Sequence, residues 1–175
     1  REERPRFSQL PEELRYDIKA FFGSYRDACE VADQKLFSLG VDNIVKSACQ
    51  KSKIGKFTPS ALYVHLNSLS ELEPQLRIYE GCASRVFGRP EETTLIKLHT
   101  SEPKISYLYY PDFDTDPHPA LKAAIVIDLQ TFKIKRGDYT TRENPPILHR
   151  KETFVTPNYP LYEEFAQLTQ IEVQS

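Results

Sequence analysis

The chain has no methionine, three cysteines and six glycines among its 175 residues. Each scarcity closes off a class of protein. Cys29, Cys49 and Cys82 are odd in number, widely spaced, and each sits in a helix-like stretch. They do not make a disulfide framework or a zinc-knuckle spacing, and they predict small buried thiols in a reducing, cytoplasmic setting. The glycines form no G-x-G-x-x-G after a strand, and the Gly55-Lys56 pair lacks the glycine-rich run of a phosphate loop. A dinucleotide or S-adenosylmethionine loop is therefore not recognisable. No G-x-S-x-G elbow occurs and no cysteine stands beside a histidine, which removes the usual nucleophile signatures. No apolar run approaches the roughly 20 residues that span a bilayer. The opening REERPRF is charged and lacks the apolar core of a secretory signal. Missing too is any basic excess: 23 Lys and Arg face 25 Asp and Glu, a net charge of −2. A nucleic-acid partner would need a local basic patch. The start at Arg1 and the absence of methionine predict a fragment of a larger protein.

What is present reads as an α+β domain. In SQLPEELRYDIKAFFGSYRDACEVADQKLFSLG, Leu14, Ile18, Phe21, Phe22 and Tyr25 recur at helical spacing. Pro11 suits a first turn, Glu12 and Glu13 favour the positive end, Gly23 breaks the run and Gly40 ends it. A short helix is expected over 42–52, with Asp42 as its cap. SKIGKFTPSALYVHL reads as a connection whose modest basic loop (Lys51, Lys53, Lys56) is either simply solvated or a phosphate contact, and His65 as a satisfied, semi-buried histidine. In SELEPQLRIYEGCASRVFG, Leu76, Tyr79, Cys82, Ala83 and Val86 share the buried face of another helix. Arg77, Glu80 and Arg85 lie on its flank as surface pairs.

From Thr93 the period changes to two. TTLIKLH, EPKISYLYY, LKAAIVIDLQ and TFKIKRGDY predict four strands in two hairpins. Alternation puts Leu95, Lys97 and His99 on one side and Ile96 and Leu98 on the other. LYEEFAQLTQIEV is a closing helix with Leu161, Phe165 and Leu168 as its stripe. The expected organisation is a helical N-terminal layer over 1–92, packed on a small, mainly antiparallel sheet, with sheet and closing helix in 93–175, together one domain.

Two polar clusters stand out. SYLYYPDFDTDPHPAL carries Asp112, Asp114, Asp116 and His118. Carboxylates this close repel, so a divalent metal is one way to offset them, and turn capping is another. The calcium-loop pattern of Gly and distal Glu is missing. Pro117 and Pro119 hold Asp116 and His118 extended. NPPILHRKETFV presents His149, Arg150 and Lys151, a donor set that suits an anion, with Arg offering a planar fork and Lys a point charge. Lys97 and His99 are placed to flank that anion. Tyr109 or Tyr110 is placed to pack on a sugar or base.

The runs LPEELRYDIKAFFGSY, GKFTPSALYVH, LRIYEGCA, LIKLH, SYLYYPDFDTDPHPAL and NPPILHRKETFV resemble the C-terminal region of the DNA phosphorothioation-associated methyltransferase family, over Pro5 to Thr169. That family is linked to systems that place sulfur in the DNA backbone, and its members carry a methyltransferase-like region ahead of this one. The resemblance implies a DNA-modification or bacterial defence setting. It implies no methyl transfer by this chain, and it supplies no catalytic residues. Three readings follow. The first is an auxiliary DNA-binding domain that contacts phosphate or modified backbone, with DNA and the upstream methyltransferase-like region as partners and no membrane. The second is a metal-assisted nuclease or hydrolase using Asp112, Asp114, Asp116 and His118. The third is a structural module docked on the upstream region, with apolar surface exposed on its helices.

Overall fold

A computed structural model describes residues 4–174. The chain divides into two compact units between Val41 and Asp42. The first is a helical pair, α1 (Glu12–Phe22) and α2 (Tyr25–Ser38). Gly23 turns the chain between them at φ 73°, where a Cβ would meet nothing but would be conformationally strained. Ser24 then caps α2, its hydroxyl accepting from the Asp27 amide at 3.1 Å. Phe7 packs on Tyr25 with ring centroids 5.6 Å apart, and Arg4 pairs with Asp33. Much of the pair's apolar surface faces outward: Tyr16, Phe21, Phe37 and Val41 are all exposed.

The second unit contains α3 (Ile44–Lys51), α4 (Pro74–Phe87), α5 (Tyr162–Gln174) and a six-stranded sheet. Its strands are β1 (Lys56–Thr58), β2 (Ala61–His65), β3 (Leu95–His99), β4 (Lys104–Tyr109), β5 (Ala123–Asp128) and β6 (Ile134–Asp138). They lie in sequence order and every neighbouring pair is antiparallel. The fold is α+β. The expected β3–β6 strands are present, and β1 and β2 are added from the stretch read as a connection. A Pro59-Ser60 turn joins them, since Thr58 and Ala61 face each other in register. Gly55 makes the approach to this hairpin: a Cβ there would lie 2.5 Å from the Tyr63 carbonyl oxygen.

Alternation sorts the sheet into two faces. Leu62, Val64, Ile96, Leu98, Ile105, Tyr107 and Ile127 share one, and all are buried. Helix α4 packs on that face. Tyr79 brings its hydroxyl within 3.0–3.3 Å of the His99, Glu102 and Lys104 carbonyls. Glu80 is also turned inward, 2 % exposed, against the expectation of a surface pair. It accepts from the Tyr107 hydroxyl at 2.9 Å and from the Arg89 guanidinium at 2.9 and 3.0 Å. The buried stripe of α4 is thus Leu76, Tyr79, Glu80 and Ala83, while Val86 is exposed.

The opposite face is divided along its length. At one end Leu95, Leu108 and Ala124 join a core with Tyr110, Phe113, Leu121, Leu148, Phe154, Val155 and Phe165, supplied by the β4–β5 connection, the segment after β6 and α5. Toward the other end Tyr63, Lys97 and His99 are only half-buried and Lys135 is exposed. Among the described residues, no helix is long and apolar enough to cross a membrane.

Candidate functional site

The two polar segments meet in space. Pro119 is fully buried, and Ala120 bridges Ile147 across the gap. The Leu121 amide donates to the Pro146 carbonyl at 2.8 Å, and the Leu148 amide to the Pro119 carbonyl at 3.1 Å. This short ladder sets His118 beside the Leu148-His149 peptide. The His118 Nδ1 donates to the Leu148 carbonyl at 3.3 Å, and the two imidazoles stand 4.5 Å apart by ring centroid. From the last turns of α5, Glu172 places Oε1 2.9 Å from the His118 Nε2. One ligand atom each from His118, His149 and Glu172 falls within 4.8 Å of the others.

The chain then turns sharply. Arg150 adopts the left-handed conformation at φ 59° and remains exposed, its Nε 3.7 Å from Glu152. The corner directs Lys151 inward. Lys151 is 4 % exposed, and its Nζ donates to the Phe113 and Asp116 carbonyls, both at 2.7 Å. The ammonium also lies 4.0 Å from the Phe165 ring centroid. Burial lowers its pKa, opposed by Asp114, Asp116 and Glu164. Two of its three N–H donors are therefore committed to the acidic loop.

Two carboxylates of the expected metal set, Asp114 and Asp116, are occupied by protein donors. Among the described residues, Asp112, Asp114 and Asp116 do not converge with His118 on a common point. The loop closes on itself instead, the Asp116 amide donating to the Asp112 carbonyl at 2.9 Å. Asp116 Oδ1 accepts from the His118 amide at 2.8 Å, and Asp114 Oδ1 from the Tyr159 hydroxyl at 2.7 Å. These are local turn and packing bonds, the ordinary work of Asp in a loop.

Lys97 and His99 lie elsewhere, on the half-open part of the sheet. Register aligns Lys56, Tyr63, Lys97, Ser106, Val126 and Lys135 in one row, one residue per strand. The Lys97 ammonium sits 5.2 Å above the Tyr63 ring, and that of Lys56 5.3 Å above Phe154. Among the described residues, Lys56, Lys97 and Lys135 take part in no ion pair, whereas Lys104 on the same face pairs with Glu102 at 2.8 Å. His99 Nε2 is 2.8 Å from the Ser106 hydroxyl. Burial, with Lys97 and Lys104 nearby, lowers its pKa to about 4, so it is neutral at pH 7. Tyr110 is buried in the core, and Tyr109 is half-buried with the opposite parity to Lys97.

Sequence reasoning did not single out Glu172 or Lys135 as site residues, and it weighed Lys56 only as part of a basic loop that could contact phosphate. Lys135 was within reach, because alternation already separates it from Ile134. Glu172 carries no local signal, since its partner His118 lies 54 residues away in sequence (172 minus 118). Comparison with family models, curated proteins and solved structures finds no match.

Proposed function

We propose that this chain is a DNA-associated auxiliary module that contacts the phosphate backbone, plain or sulfur-modified, through the half-open part of its sheet. The row containing Lys56, Lys97 and Lys135 carries the reading. With neighbouring strands about 4.8 Å apart, the three lysines are spaced by roughly 10 and 14 Å along one line. An overall charge of −2 supplies no long-range attraction, so the contact is local and geometric. Tyr63 beneath Lys97 adds an aromatic surface for a sugar or base. His99 is neutral and serves as a hydrogen-bonding partner, not as a cation. The resemblance to the phosphorothioation-associated family favours DNA over other polyanions.

Salt titration of duplex binding, read by fluorescence anisotropy, tests this. Each phosphate contact contributes about 0.9 to the slope of log K against log salt. Replacing Lys56, Lys97 and Lys135 together by Ala is expected to lower the slope by two to three units, roughly. Absence of binding at low salt, or an unchanged slope in the triple variant, overturns the reading. A second reading, docking on the upstream methyltransferase-like region, is favoured by the exposed Phe21 and Phe37 of the helical pair.

A further inference from the structure

We propose that His118, His149 and Glu172 bind one late first-row divalent cation, Zn2+ foremost. The three residues come from three separate segments: the loop after the acidic run, the loop before Arg150 and the last turns of α5. Their ligand atoms already lie within 4.8 Å of one another. Around a tetrahedral Zn2+, with bonds of about 2.0–2.1 Å, ligand atoms sit about 3.3 Å apart. His149 is exposed and Glu172 half-buried, so rotation of the His149 ring closes most of the difference.

His118 is set up as the anchor. Its Nδ1 is engaged with the Leu148 carbonyl, which fixes the ring and turns Nε2 toward Glu172. A backbone carbonyl on the far nitrogen is the usual outer support of a metal-ligating imidazole. At 2.9 Å, Nε2 and the carboxylate oxygen need a positive centre between them, either a proton or a metal ion. The second imidazole, 4.5 Å from the first, is the feature that a simple ion pair would not require.

Ligand chemistry selects the ion. Two imidazoles and one carboxylate suit Zn2+ and its neighbours, while Mg2+ and Ca2+ prefer all-oxygen shells. Three protein ligands leave a fourth position for water or an anion, as in catalytic zinc sites. The inference stands apart from the lysine row and does not depend on it.

Isothermal titration of the chelator-treated full chain with ZnCl2 and with MgCl2 tests the site. One Zn2+ per chain is expected, with Kd of roughly 10 μM or tighter, and no Mg2+ uptake in that range. His149→Ala, at an exposed position, and Glu172→Gln, at a half-buried one, are each expected to weaken Zn2+ by at least about tenfold. Circular dichroism checks that both variants keep their fold. The wild-type chain should also melt higher with excess Zn2+. No uptake up to about 1 mM Zn2+ overturns the proposal. So does uptake that both folded variants retain at wild-type affinity, since the ion would then be held elsewhere.

Discussion

Lys151 shows how one residue's role depends on where its nitrogen ends up. In the sequence it is the third cation of a His-Arg-Lys run, as suited to an anion as its neighbours. In the structure the left-handed turn at Arg150 sends it inward to two carbonyls and the face of Phe165. Removing it leaves the Phe113 and Asp116 carbonyls without this donor, next to the core. Lys151→Ala is expected to destabilise the fold by about 2–4 kcal/mol in urea denaturation. Lys151→Met keeps the stem over Phe165 and should cost less, about 1–3 kcal/mol. A cost below about 0.5 kcal/mol for the alanine variant would show that the ammonium does not hold the acidic loop. The same variants should leave the salt slope of DNA binding unchanged, because the ammonium does not reach solvent.

At the scale of elements, α4 and the sheet are joined by apolar packing and one buried charge. Glu80 on α4 meets Tyr107 on β4 and Arg89 just beyond the helix end. A buried carboxylate is tolerated only when its partners are in place. Arg89→Ala leaves it without its counter-charge and is expected to cost roughly 2–4 kcal/mol, discounted because Arg89 is itself partly exposed. Adding Glu80→Gln should recover part of that loss, so the double variant is expected to be more stable than Arg89→Ala alone. Equal stability of the two would mean that the pair is not coupled. Helical periodicity placed Leu76, Tyr79 and Ala83 correctly, because their spacing follows from the 3.6-residue turn. It put Glu80 outside, because hydropathy assigns a carboxylate to water and cannot see the Tyr and Arg that replace it. The hairpin of β1 and β2 was missed for a related reason: three residues of β1 are too few for a visible alternation.

For the molecule as a whole, the buried His65 and the half-buried His99 link stability to pH. Burial lowers the pKa of both His65 and His99 to about 4. The unfolded chain takes up these protons near pH 6.5, while the folded chain refuses them until about pH 4, so the unfolded state binds more protons in between. Their stabilising contribution is full above about pH 6.5 and is lost as the pH falls toward 4, by a few kcal/mol in total. Urea midpoints measured from pH 7.5 to 4.5 should fall accordingly, and His65→Gln should flatten part of the drop. A pH-independent midpoint would contradict the buried, neutral state of both rings. Alternation and helical periodicity determined the α+β class, the strands β3 to β6, the placing of Lys97 and His99 on one face, and the closing helix. Those features follow from local periods of two and 3.6 residues, which the chain carries in any short window. Tertiary structure decided which polar groups share a space: Glu172 with His118 and His149, Lys151 with two carbonyls, and Lys56 and Lys135 in line with Lys97. Such meetings depend on strand order and loop closure over tens of residues, and no local pattern encodes them.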